Sequence, residues 1–311
     1  MKDTPKIVIL GAGMSAVACA ENLIDSFQVE LYEKSKGVGG RLCSKKYNGT
    51  KYHFGAQFCT YTDSEFKNFL LKNHSKKFNG CVFDCAKRQN INTNKYFVHA
   101  EGMQGLLKQS AKSLDIKSRE KCIKVDVHNK VVHFESGLEV TYDILISSLP
   151  LPQAKEILQF DEPSNVIFDP CIAAGFIIGG NQANKYNAYK VVNKDISWAA
   201  SSKYYNTKIN ETWVLQFSPK TSKTMFDNTE VSLKEFAASQ LKDLLGMNVT
   251  IQNSYIFKWK YAQCNRSSNE QPFITLNNDV FAIGDWNISP RVESAFLSGR
   301  ALAEFLVSNK K

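Results

Sequence analysis

Apolar residues fall along this chain in two alternating periods. Ile7-Val8-Ile9-Leu10 is an unbroken apolar run after a short polar lead, the pattern of a strand buried on both faces of a parallel sheet. Val17, Ala20, Leu23 and Ile24 then recur at helical spacing. A second strand is predicted from Gln28 to Tyr32, ending at Glu33. Helices are predicted over 64–73, with Phe66, Phe69 and Leu70 on one face, and over 102–114. Short strands are expected at 81–83, 96–98, 122–127 and 131–134, and a buried strand near 142–148 before Leu149-Pro-Leu-Pro152. Beyond it, 172–178, 197–201, 212–217 and 251–261 read as strands and 231–245 as a helix. Asp279 to Ile283 closes the strand series, with a last helix from about Ser294 to Val307.

The turn after the first strand carries chemistry. Gly11-x-Gly13-x-x-Ala16, with Met14 and Ser15 between, follows the apolar run at once and opens a helix. This is the dinucleotide fingerprint with Ala in its third slot. Gly11 allows the tight turn, Gly13 lets backbone approach a pyrophosphate on the helix N-terminus, and Ala16 keeps helix and strand close. Glu33, at the end of the second strand, is placed to accept hydrogen bonds from ribose hydroxyls. Lys34 to Leu42 adds a second glycine turn, Gly39-Gly40-Arg41-Leu42. It reads either as a loop that puts the Arg41 guanidinium on a phosphate or as a surface turn. Gly55-Ala56-Gln57-Phe58 ends a short strand, where small residues suit a flat ligand and Gln57 offers donor and acceptor; a strand-end bulge is the other reading. Gly284-Asp285 ends the last strand, where an acid can hold a polyol hydroxyl. Arg291, Val292 and Ala295 sit at the start of the final helix, whose positive end suits a ring edge that becomes anionic on reduction.

Composition narrows the class. The 311 residues allow one or two domains. A net charge of +9 suits a soluble protein or one that draws in anionic ligands. The Lys residues form no dense basic helix, so no nucleic-acid module is expected. No apolar run approaches the length of a membrane span, and the first strand leaves no room for a signal peptide. The eight cysteines show no metal-ligand spacing. They read as reduced thiols, a cytoplasmic signature. No metal site is expected.

Together these motifs resemble the renalase-like branch of the flavin-dependent amine oxidase superfamily. The matching pieces are Gly11-x-Gly13-x-x-Ala16, Glu33, Gly39-Gly40-Arg41-Leu42, Phe54-Gly55-Ala56-Gln57-Phe58, Trp259-Lys260-Tyr261-Ala262, Gly284-Asp285-Trp286 and Pro290-Arg291-Val292-Glu293. Ala16, Lys260 and Gln263-Cys264 depart from the branch. The resemblance implies an α/β fold: a discontinuous Rossmann-like FAD domain over 1–60, 100–152 and 262–311. An α+β substrate domain over 61–99 and 153–261 is inserted in it, as in p-hydroxybenzoate hydroxylase. It implies non-covalent FAD, with Cys122 meeting adenine through its backbone. It implies oxidation of 2- and 6-dihydro isomers of NAD(P)H by hydride transfer to the flavin, O₂ taking the electrons and giving hydrogen peroxide. No protein residue is assigned as catalytic. Gln57, Trp259 and Tyr261 are candidate substrate contacts, although the two aromatics equally suit strand-core packing. An amine oxidase or desaturase, and a flavin-bound regulatory protein, are the competing readings.

Overall fold

The computed structural model describes residues 4–161, 163–179, 185–191, 195–204, 211–246, 249–265 and 271–310. Its first sheet has six strands, in the order Asp115–Ser118, Gln28–Glu33, Lys6–Leu10, Ile144–Ser147, Val280–Ile283, Phe273–Asn277. The first five run parallel and the last antiparallel.

The apolar run at 7–10 is buried on both sides, as its pattern predicts. Ile7 and Ile9 enter a core with helices Met14–Glu21, Met103–Ser110 and Val292–Ser308. Val8 and Leu10 face the other way, onto the antiparallel sheet of Cys122–Asp126, Val131–Phe134 and Glu139–Thr141. Tyr32 stacks on Phe134 there, with ring centroids 4.6 Å apart. The helix Met14–Glu21 crosses Val292–Ser308 closely. A Cβ at Gly299 would lie 2.1 Å from the Ser15 carbonyl oxygen, so only glycine fits the crossing.

A second sheet has seven strands, in the order Thr250–Cys264, Phe168–Gly179, Thr212–Phe217, Ile196–Ser201, Ala188–Lys190, Val82–Asp84, Gln89–Asn90. Its back face is closed by the helix Glu230–Leu245. Thr229 caps that helix by accepting from the Ser232 amide at 3.3 Å. Leu233, Ala237 and Leu241 form the buried stripe, against Ile172, Ala174 and Phe176 of the sheet. The front face carries Ala173, Val214, Phe257 and Trp259 against Tyr52 and Phe54.

Four differences from the sequence pattern have local causes. The helix Ser64–Lys72, expected with the substrate domain, buries Phe66, Phe69 and Leu70 in the core of the first sheet. The ring of Phe66 lies 5.2 Å from Phe296, and that aromatic contact draws the helix across the expected boundary at residue 61. The helix expected over 102–114 ends at Ser110, passes through one tight turn and gives way to strand Asp115–Ser118. The Pro-rich exit at 149–152 starts a helix, Leu151–Leu158, because Pro152 occupies its first turn, where a missing N–H costs nothing. Lys45–Tyr47 pairs with Thr50–Tyr52 in a hairpin, whose first strand is too short to show a period. Among the described residues no helix is long and apolar enough to cross a membrane.

Candidate active site

The two glycine turns touch. Gly11 adopts φ 97° and donates its amide to the Tyr32 carbonyl at 2.8 Å. A Cβ there would lie 2.6 Å from the Ser148 hydroxyl. Gly13 precedes the helix Met14–Glu21 with no side-chain cap, so first-turn N–H groups of Met14, Ser15 and Ala16 lack a capping partner. A Cβ on Gly13 would meet nothing within 4 Å: the space in front of the helix end is open. Gly39 donates to the Ala12 carbonyl at 3.0 Å, and Gly40 holds φ 50° with its Cβ direction 3.3 Å from Gly13 Cα. Glu33 is buried and grips the turn, accepting from the Ala12 amide at 3.0 Å and the Ser35 amide at 2.8 Å. Lys34 is exposed beside it.

Cys122 is placed by the same strand end. After Asp115–Ser118, the Arg119 and Glu120 amides donate to the Ser35 and Glu33 carbonyls, each at 3.0 Å. Cys122 then packs half-buried against the Tyr32–Phe134 cluster. Burial pushes its thiol up to about 11, so it is protonated near neutrality.

Arg41 and Asp285 meet across 244 residues of sequence. One guanidinium nitrogen donates to Asp285 Oδ2 at 2.9 Å and to the Ala262 carbonyl at 3.2 Å, and the other donates to Asp285 Oδ1. The fork geometry is the strong form of this pair. Neighbouring Leu42 is buried. Gly284 donates its amide to Ser298 Oγ at 2.9 Å. A Cβ on Gly284 would lie 2.3 Å from the Trp286 indole nitrogen. That N–H is buried and finds no partner among the described residues.

The last helix starts at Val292, earlier than the pattern predicts, and has no side-chain cap. Ala295 is buried in its first turn. Arg291 is committed elsewhere: it donates to Thr60 Oγ1 and pairs with Glu293, each at 3.0 Å. Buried Glu293 also accepts from Thr62 Oγ1 at 2.9 Å and the Asp63 amide at 2.7 Å. The Arg291–Glu293 pair therefore ties the helix start to residues 60–63. Glu293 showed no sign of this in the sequence.

Gly55 to Phe58 lies between the second glycine turn and the seven-stranded sheet. On one side Ala56 donates to the Arg41 carbonyl at 2.9 Å and Gly55 to the Cys43 carbonyl at 3.3 Å. The fit requires glycine, since a Cβ on Gly55 would lie 2.2 Å from the Arg41 oxygen. On the other side three donors come from the front of the seven-stranded sheet. Trp259 reaches the Phe54 carbonyl at 3.2 Å, Gln216 the Gly55 carbonyl at 3.2 Å, and Trp198 the Gln57 side-chain oxygen at 3.1 Å. Gln57 is buried and donates to the His53 carbonyl at 3.0 Å. Phe58 stacks on Tyr96 at 4.4 Å. Trp198 and Gln216 were not singled out from sequence; a lone Gln in the apolar strand Thr212–Phe217 was the available signal. Trp259 and Tyr261 keep partial exposure and join different clusters, Trp259 beside Phe257 at 4.8 Å and Tyr261 edge-on to Phe168 at 6.1 Å.

Three observations suit a dinucleotide with a second ring system: the open space before Gly13, two helix starts without side-chain caps, and the unpartnered Trp286 N–H beside Asp285. Gly11, Gly13, Gly40 and Glu33 gather at the first helix start, and Arg41 of the second turn touches both Gly55 and Asp285.

Residues 9–70 match the NAD(P)-binding Rossmann-like domain family. A putative protoporphyrinogen oxidase from Exiguobacterium sp. 255-15 aligns over 100% of both chains with TM-score 0.78 and 9% identity. Reduced UDP-galactopyranose mutase aligns over 98% of this chain and 94% of its own, with TM-score 0.78 and 13% identity. Putrescine oxidase with bound putrescine aligns over 98% of this chain and 99% of its own, with TM-score 0.75 and 11% identity. The chain thus opens with a Rossmann-like dinucleotide domain and shares, over nearly its whole length, the mixed α/β fold of these two oxidases and the mutase.

Proposed function

We propose that this protein is an FAD-dependent oxidoreductase whose substrates are 2- and 6-dihydro isomers of NAD(P)H. The observation that carries the cofactor is the meeting of the Gly13 and Gly40 turns, with Arg41 of that second turn bonded to Asp285 at the far strand end. One site so extended is longer than a mononucleotide needs. Its oxidase neighbours support the reaction class by fold, and the sequence resemblance supports the substrate.

In this reading Gly11, Gly13 and the N–H groups of Met14, Ser15 and Ala16 hold the pyrophosphate, and Glu33 the adenosine ribose. Cys122 borders the adenine, Arg41 and Asp285 hold phosphate and polyol, and Gly55, Ala56 and the Val292–Ala295 helix start border the ring. A bound flavin would supply a hydride acceptor that O₂ can reoxidise, with hydrogen peroxide as the product. The protein's share is placement. The double row of bonds holds residues 54–57 between the second glycine turn and the seven-stranded sheet, and the positive end of the last helix favours negative charge near it. A substrate whose product is an aromatic cation loses hydride without a protein base, so no acid–base residue is required.

The test has two stages. Denatured protein should release FAD, identified by chromatography, and Glu33→Ala should weaken FAD binding by about 1.5–3 kcal/mol, the range for a hydrogen bond to a charged group. Anaerobic mixing should then show rapid flavin bleaching by the dihydro isomers and slow bleaching by ordinary NADH. Bleaching by putrescine or a monoamine, with none by the isomers, would replace the substrate reading with an amine oxidase. A protein that never takes up FAD sinks both.

A further inference from the structure

We propose that the aromatic wall beside Gly55 takes a flat ring carrying an anionic group, carboxylate or phosphate, and that Lys45 is the residue that reads the anion. The inference rests on the reading of this face as the substrate side of the site. The wall is built by the hairpin Lys45–Tyr47 and Thr50–Tyr52, turned at Asn48 and Gly49 with φ 45° and 81°. Its register pairs Lys45 with Tyr52 and Tyr47 with Thr50, which puts those four residues on one face. Lys46 and Lys51 go to the other, where Lys51 donates to the Glu101 carbonyl at 2.6 Å.

The inner face packs onto the long strand Thr250–Cys264. Tyr47 stacks on Tyr255 at 4.5 Å, Phe54 on Phe257 at 5.6 Å, and Trp259 meets Phe257 edge-on at 4.8 Å. Tyr47, Tyr255, Phe257 and Trp259 all keep part of their surface in the open. The Phe54 carbonyl that receives the Trp259 N–H belongs to the segment adjoining Gly55, so the wall and the proposed ring site share a border.

Charge distinguishes this wall from a cage for cations. The Lys45 ammonium lies 5.2 Å from the Phe257 ring centroid and is half-buried. It makes no ion pair with a carboxylate among the described residues. Lys234, 5.9 Å from the Tyr255 ring, is by contrast neutralised by Glu230 at 2.6 Å. A cation over a ring face already fills the place that a ligand ammonium would take. A carboxylate or phosphate meets it with opposite sign, while the ring of the ligand stacks on the exposed aromatics. The isomeric dinucleotides meet this requirement through their pyrophosphate, and a putrescine-like dication does not.

The experiment titrates FAD-loaded protein with benzoate, phenyl phosphate and benzyltrimethylammonium, following tryptophan fluorescence and flavin absorbance. Both anions should bind at least tenfold more tightly than the cation, and the better of the two identifies carboxylate or phosphate as the preferred group. Lys45→Met should weaken both anions about tenfold and should not weaken the cation, while Lys45→Arg should retain anion binding. Unchanged anion binding in Lys45→Met, cation binding as tight as anion binding, or no anion binding at all overturns the proposal. None of the three probes is a hydride donor to flavin. Anion selectivity with no oxidation of the dihydro isomers therefore removes the dihydronicotinamide reading and leaves Lys45 standing.

Discussion

His53 is held neutral by its surroundings. It is buried, Ser44 Oγ lies 2.7 Å from its Nδ1, and Gly102 packs so close that a Cβ would lie 2.0 Å from the same nitrogen. Burial, then the positive charge of Lys51, pushes its pKa from 6.5 down to about 3. Between those values the unfolded chain binds a proton that the folded chain refuses, so stability falls as pH drops below 6.5. The slope from this residue approaches about 1.4 kcal/mol per pH unit. Urea midpoints from pH 7.5 to 4.5 should show it, and His53→Gln should flatten it; parallel curves for the two proteins would contradict the assignment. At this scale the sequence was least legible. Arg41 and Asp285 each stood out in a motif, yet nothing in either motif says that they bond to one another. Arg291 stood out as a charge beside a helix start, whereas the buried acid two positions on claims its guanidinium.

Elements were more legible, because burial of one face leaves a period in the sequence and burial of both an unbroken apolar run. The strands Lys6–Leu10, Phe168–Gly179 and Thr212–Phe217 and the helix Glu230–Leu245 lie where apolar spacing puts them. Asp115–Ser118, a partly exposed edge strand of four residues, carries no such period, and its pairing with Gln28–Glu33 is a tertiary fact. The crossing of the first and last helices is similarly silent. Gly299 looks like a flaw in an apolar helix, but it lets the Ser15 carbonyl come close. Gly299→Ala should therefore destabilise the protein by about 1–3 kcal/mol, the range for overpacking, although alanine is the better helix former. Thermal melts of both proteins decide it: a raised melting temperature would show that the helices part without cost.

At the scale of the whole molecule, the six-stranded sheet draws its strands from three separate parts of the chain. The dinucleotide fingerprint foretold the Rossmann-like domain, but it could not say which surfaces meet, since no single motif spans such a contact. The residues that meet lie far apart: Arg41 waits for Asp285, and Ser15 for Gly299. This has a bearing on synthesis. A chain emerging from the ribosome presents the dinucleotide turn long before the strand Val280–Ile283, which pairs with Ile144–Ser147 of the same sheet, and before the helix Val292–Ser308 that packs on the first helix. Until then the strand Ile144–Ser147, next to Lys6–Leu10, has an open edge, and the first helix lacks the part of its cover that comes from Val292–Ser308. Proteolysis of ribosome-bound chains of increasing length should cut the first strand and helix readily until residues 280–308 have emerged, and protection before that point would show that the N-terminal part folds alone. If the proposed dinucleotide site is right, its ligand is captured only once residues 280–308 are in place, and during translation the exposed part of the helix face is a natural target for chaperones.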